Sequence, residues 1–263
     1  MSDEEWAPTG IDVTVPSTAR VYDFLLDGKD NFASDRDLAE QVIAGFPLAR
    51  EAAWSNRRFL IRAVRYLARE AGIRQFLDIG TGLPTQQNVH QVAFAEQPDS
   101  RVVYVDHDPI VLTHARALLA GTNAVIVQED LRSPERILQH PTVRQALSFD
   151  EPVALLVLAI LQFVGGADDP YAMLRTLVDA LPSGSYLALS HVAVDAYPEA
   201  TTSTEDAYEQ GGSPLYSRTR GDIQRFFDGL ELVEPGLVYA EQWRPEKDEA
   251  DIRVFLTGVG RIP

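Results

Sequence analysis

Five short apolar runs, at 75–79, 101–105, 123–128, 153–159 and 185–190, alternate along this chain with segments of helical periodicity. Strands separated by helices of that length cannot be hairpins. They require crossover connections, and the spacing therefore predicts a parallel sheet with helices on both faces, an α/β fold. Helix starts within the repeat are marked by Asp108-Pro109, Ser133-Pro134 and Asp169-Pro170, each a good N-cap followed by proline, whose missing N–H costs nothing in the first turn.

Ahead of the first strand, three helical patterns run from Ser17 to Leu26, Asp35 to Ala44 and Leu48 to Ala71, with Phe59, Ala63, Tyr66 and Leu67 at helical spacing in the third. Between the first two lies LDGKDNFASDR, rich in turn formers. Residues 1–16 are polar and contain proline, and read as a flexible lead. A single domain is expected over 17–263, divided into a helical cap (17–73) and a core (74–263). Within the core, 192–217 reads as an irregular polar insertion that Gly211-Gly212 lets bend, a candidate lid. After it, a short helix following Thr219, a strand pair from Leu230 to Tyr239 and a terminal strand in DIRVFLTGVG bring the expected sheet to seven strands, mostly parallel.

The first strand runs into a tight glycine turn, FLDIGTGLPT. Gly80 and Gly82, beyond Asp78, tolerate positive φ and let backbone N–H groups approach a ligand closely. Asp106 closes the second strand and is placed to accept hydrogen bonds from both hydroxyls of a ribose. Asp130 closes the third. The series implies a nucleoside cofactor, and the methionine end of an adenosyl sulfonium or a phosphate both fit a glycine turn.

A formal charge of −16, from 23 Lys+Arg against 39 Asp+Glu, disfavours broad binding to nucleic acid or to an anionic membrane. Arg57, Arg58, Arg62, Arg65 and Arg69 cluster, and read as a solvated helix face paired with nearby carboxylates. Without cysteine there is no disulfide and no thiolate chemistry. The acidic start, MSDEEWAPTG, is unlike a signal peptide and no apolar run reaches membrane-spanning length, so a cytoplasmic location is expected. The five histidines show no zinc spacing, and no metal is expected.

With these segments in order, the chain resembles a class I S-adenosylmethionine-dependent methyltransferase, more narrowly the actinobacterial DUF574 type. DIGTGLPT, YVDHDP, QEDLRSPERIL and SYLALSH carry the broader likeness. ARVYDFLLDGKDNF and NRRFLIRAVRYLA carry the narrower one. The resemblance implies a Rossmann-like core under an N-terminal helical cap, S-adenosyl-L-methionine as cofactor, and transfer of a methyl group, with a small-molecule acceptor expected. It places Asp78, Gly80 and Gly82 around the methionine portion, Asp106 on the ribose, and His107 and Asp108 beside the adenine. Asp130 and Leu131 would read the exocyclic amine, and Ala159 and Ile160 would offer carbonyls to the cofactor amino group. Tyr22 and Asn31 are its contacts to the methionine end. Two departures are Pro84, where generic members have a third glycine, and Gln162, where members often have histidine.

For an acceptor that must lose a proton, His191, at the end of the fifth strand, is the first candidate base and Tyr22 the second. Two residues have a plainer reading: His191 as a structural or lining residue, and Asp108, set beside the adenine by the resemblance, as no more than a cap. Two other functions share the adenosyl pocket, a non-catalytic S-adenosylmethionine sensor or scaffold and an NAD-dependent oxidoreductase, although no third glycine or second phosphate site is visible for the latter. Oligomeric state is not legible.

Overall fold

Alternate residues of each central strand enter two different cores, which is how runs apolar at every position come to be buried. The computed structural model describes residues 12–84, 87–247 and 249–263, with backbone alone at 116 and 117. Strands β1 (Gln75–Ile79), β2 (Arg101–Asp106), β3 (Ala124–Gln128), β4 (Ala154–Leu158) and β5 (Tyr186–Val192) pair in parallel in the order β3-β2-β1-β4-β5. Phe76, Val102, Leu156 and Ala188 face a core closed by the N-terminal helices, while Leu77, Val103, Leu155 and Leu187 face a second core. These boundaries lie within two residues of the expected ones, because a parallel strand buried on both faces is the most conspicuous apolar pattern a sequence carries.

The first core is covered by α1 (Thr18–Leu25), α2 (Ala33–Gly45), α3 (Ala49–Arg69), α4 (Val89–Glu96) and α5 (Pro109–Leu119). In α3, Phe59, Ala63, Val64 and Leu67 are fully buried against the sheet. Burial of a side chain the size of Phe59 contributes about 2–3 kcal/mol. The α1–α2 turn is closed by Asp23, whose Oδ2 accepts from Asp30 N–H and from Asn31 Nδ2 at 2.9 Å each. A Cβ on Gly28 would stand 2.0 Å from Asp23 Oδ1, so the side chain that closes the turn needs glycine there. The second core is covered by α6 (Pro134–Gln139), α7 (Pro141–Ala146), α8 (Pro170–Asp179) and α10 (Arg220–Gln224). Asp108 and Asp169 cap α5 and α8, accepting from Ile110 N–H and Ala172 N–H. Ser133 makes no side-chain cap. His140 instead caps α7 through Nδ1, a start not foreseen.

The C-terminal part differs from expectation twice. The strand pair expected between Leu230 and Tyr239 is not a hairpin: β6 (Glu231–Leu232) and β7 (Val238–Tyr239) each pair antiparallel with β8 (Phe255–Arg261), which itself lies antiparallel on β5. Among the described residues the sheet therefore has eight strands rather than seven, ordered β3-β2-β1-β4-β5-β8-β6 with β7 beside β8. A two-residue strand carries no alternation to read. The segment 192–217 is not irregular, since it holds the 13-residue helix α9 (Pro198–Gln210), which lies against α2.

The sheet order reverses between β1 and β4, where consecutive crossovers leave to opposite sides. Such a switch point opens a crevice beyond the carboxyl ends of the strands.

Candidate functional site

The crevice is built by the turn that follows β1. Gly80 has φ +69° and its N–H donates to Val105 O of β2 at 2.8 Å, which pins the turn to the neighbouring strand. A Cβ there would lie 2.5 Å from Ile160 Cγ1 in the loop after β4, so glycine lets the two loops meet. Gly82, at φ +65°, faces open space and donates its N–H to Asp106 Oδ2 at 2.9 Å. The other carboxylate oxygen, Oδ1, accepts from Asp108 N–H at 3.0 Å. Each oxygen keeps a second acceptor site, as a diol-binding carboxylate requires. Burial raises the Asp106 pKa, with the two N–H donors opposing it.

Asp78, at the end of β1, is 5% exposed and lines the same space. Burial pushes its carboxyl up to about 7, against a hydrogen bond from Thr81 and the nearby charge of Arg57. Arg57 comes from α3 and donates through Nη2 to Asn88 Oδ1 at 3.1 Å. It was expected on a solvated face. The structure turns it inward to line the cavity, and buries Arg62 as well, while Arg58 and Arg65 do pair with carboxylates near the surface.

Gly80, Gly82, Asp78, Asp106, Ala159 and Ile160 all line one cavity, of about 1360 Å³ counting the open space at its mouth. His107 and Asp108 line it too. His107 is largely exposed, whereas Asp108 caps α5 and accepts from Ser17 Oγ at 2.7 Å, so capping and lining coexist. Asp130 and Leu131 line an adjoining recess that shares Asp106, His107 and Ile160 with the first. Ala159 sits at φ +52° with its N–H held by Ser190 O and Oγ. The Tyr22 hydroxyl donates to Ala53 O and accepts from Asn56 Nδ2 at 2.8 Å, and burial raises its pKa.

Two expected site residues stand elsewhere. Asn31 is spent in the α1–α2 turn, bonded to Asp23 and Gly28, and is not among the residues lining the cavity. His191 has the parity of Leu187 and Leu189 and enters the second core, fully buried with its ring stacked on Phe226. Nδ1 faces Val192 O, and Nε2 accepts from Arg218, which also donates to Leu161 O and Val164 O. Burial and the Arg218 charge drive its pKa down to about 3. This neutral imidazole is held by the same guanidinium that binds the turn after β4, and it is not among the residues lining the cavity.

Residues missed by sequence reasoning complete the walls. Tyr197, Thr201, Thr204 and Tyr208 face the cavity from the start and body of α9, at 4-3-4 spacing. Asn56, beside Phe59 and Leu60 in the buried stripe of α3, was detectable as a polar residue at an apolar position. Asn56 Oδ1 and Gln162 Oε1, both on residues 4% exposed, have no hydrogen-bond partner among the described residues.

A family model described as S-adenosyl methyltransferase matches residues 4–263. A DUF574 family protein from Streptomyces avermitilis is 41% identical, with a TM-score of 0.93 over 96% of this chain and 99% of its own. A solved protein from Thermobifida fusca is 42% identical, with a TM-score of 0.92 and 98% of each chain covered. A SAM-dependent methyltransferase from Anabaena variabilis shares the fold at 13% identity, with a TM-score of 0.53 over 97% of this chain and 99% of its own. No curated protein sequence matches this chain.

Proposed function

Because this chain belongs to the S-adenosyl methyltransferase family and takes S-adenosylmethionine as its cofactor, we propose that it methylates a small molecule held between the strand ends and the helices α1, α2, α3 and α9. The carrying observation is the two-sided cavity: Asp78, Gly80, Gly82 and Asp106 converge on one side, and an apolar chamber opens on the other. The NAD-dependent alternative falls away with that family.

The residues present suit the cofactor. Asp106, with an acceptor site left on each oxygen, takes the ribose hydroxyls. Asp130 and Leu131 border the recess assigned to the adenine amine, a carboxylate acceptor beside a backbone N–H. At the amino-acid end, buried Asp78 is matched to an ammonium and Arg57 to a carboxylate. Bound there, the cofactor supplies a methyl on an already activated sulfonium, so that acceptor–H becomes acceptor–CH3 and the displaced pair leaves with sulfur as S-adenosylhomocysteine, a proton passing to water. The chain's own task is then to align the two partners and exclude solvent. Tyr22, held neutral by burial, orients rather than deprotonates, and His191 contributes through Arg218, which binds the turn after β4.

Parallel calorimetric titrations with S-adenosylmethionine, S-adenosylhomocysteine and NAD test this, the first two alone being expected to bind. Asp106→Ala should weaken S-adenosylhomocysteine binding by about 1–3 kcal/mol, the range for hydrogen bonds to a charged group. Unchanged affinity in a folded variant would remove the ribose assignment. Tight cofactor binding with no turnover over a broad acceptor panel would favour a sensor instead.

A further inference from the structure

We infer that the methyl acceptor is a neutral, largely apolar molecule bearing a hydroxyl or N–H group at its reacting end; this deepens the methyltransferase reading and rests on it. Among the described residues, the charged residues lining the cavity are Arg57 of α3 and Asp78, Asp106, His107 and Asp108 at the strand ends and just beyond them. Beyond them the walls come from the cap, from α9 and from the approach to β8, with Leu25, Val42, Phe46, Leu215, Val254 and Phe255 lining the chamber. Two aromatic pairs stand there, Phe46 with Tyr197 and Phe163 with Tyr208, at centroid separations of 5.4 and 5.6 Å.

Three polar side chains in the chamber are turned back on the protein. Thr201 Oγ1 donates to Tyr197 O at 2.7 Å and Thr204 Oγ1 to Ala200 O at 2.9 Å, both within their own helix. The Tyr22 hydroxyl has both a donor and an acceptor partner. A phosphate, carboxylate or ammonium brought into such walls would be a buried charge without a counter-ion, which costs several kcal/mol. A neutral, apolar body meets no such penalty and gains by leaving water.

What the chamber does offer is acceptor capacity. Asn56 Oδ1 and Gln162 Oε1 are buried, without a partner among the described residues, and on lining residues. An amide oxygen left unpaired in the interior wants an O–H or N–H, and an occupant that supplies one recovers the cost. Donor recognition and apolar walls together define the acceptor's chemistry: a body of aromatic or aliphatic carbon with a hydroxyl or N–H at the end facing α3 and the turn after β4.

The test uses the full chain at pH 7, alone and saturated with S-adenosylhomocysteine, titrated with 1-naphthol, 1-methoxynaphthalene and 1-naphthyl phosphate. Naphthol is expected to bind at least tenfold tighter than its methyl ether and a hundredfold tighter than the phosphate. Gln162→Leu removes one acceptor without changing the size of the side chain much, and should narrow the naphthol-to-ether ratio severalfold with no loss of thermal stability. Equal binding of naphthol and ether, phosphate binding as tight as naphthol, or no binding of the three overturns the inference. These outcomes are read on the unaltered protein, so they do not depend on the variant folding. Failure of S-adenosylhomocysteine to bind would instead strike the cofactor reading, and the naphthol preference of the protein alone would still decide the chemistry of the chamber.

Discussion

Asp78 shows how one buried carboxyl links folding to ligand binding. Its pKa in the fold, about 7, stands above the ordinary carboxylate value of 3.8, with burial the main cause and Arg57 and Asp106 nearby. The folded state therefore holds a proton that the unfolded chain has already lost, and the ligand-free protein loses this stability as pH rises from about 4 through 7. An ammonium placed beside Asp78 favours the ionised form. S-adenosylhomocysteine affinity should thus rise about tenfold between pH 6 and 8, with proton release on binding at pH 6.5, and Asp78→Asn should flatten the profile. Calorimetry in buffers of differing ionisation enthalpy reads both effects. Asp108 divides its work between a cap and the cavity edge. Asp108→Ala is expected to cost about 1 kcal/mol in urea denaturation, the value of a lost N-cap; a loss of cofactor affinity at full stability would make it a ligand contact alone. Both aspartates were legible in sequence because Asp78 stands near the end of one conspicuous apolar strand and Asp108 just beyond another. Arg57 and Gln162 were not, since a polar residue in a helix or loop gives no sign of which way it points, and Asn56 shows only as a polar residue in an apolar stripe.

Helix α3 is the element that joins cap, core and C-terminal segment. Arg62 donates to Trp243 O and Ala240 O and pairs with Glu249, which also takes Arg58 Nε at 2.6 Å. Arg62 and Glu249 side chains are 7% and 6% exposed. Glu249→Ala leaves that guanidinium short of its carboxylate and should cost about 2–4 kcal/mol by urea denaturation, close to the range for breaking a buried pair. Arg65, paired with Glu96 and Glu246, is partly exposed at the surface, so Arg65→Ala should cost under about 1 kcal/mol. A result in which the two variants lose equal stability would contradict this division. The arginine row was visible as a charged helix face, but its split into buried and solvated members depends on a C-terminal segment some 180 residues away. Helix α9 escaped for a different reason: its inward positions are tyrosines and threonines, too weakly apolar to stand out from a polar segment.

At the scale of the whole molecule, the charge of −16 spreads repulsion over a fold that the two cores must hold together. Screening that repulsion should raise the melting temperature by a few degrees between low salt and about 0.3 M NaCl, with KCl giving the same shift; a fall or no change would show that local ion pairs outweigh the net charge. Among the described residues no helix is long and apolar enough to cross a membrane. The sequence by itself determined the alternation of strands and helices, the glycine turn after β1 and the acidic ends of β1, β2 and β3, because these follow from local periodicity and from residues with few conformational alternatives. Tertiary structure decided the pairing of β6 and β7 with β8, the burial of His191 in the second core, and the inward turn of Asn56, Arg57 and Gln162. Those outcomes depend on what each segment packs against, and in β5, where five of seven positions are buried and the two end positions half-buried, hydrophobicity alone carries no record of which face looks into the cavity.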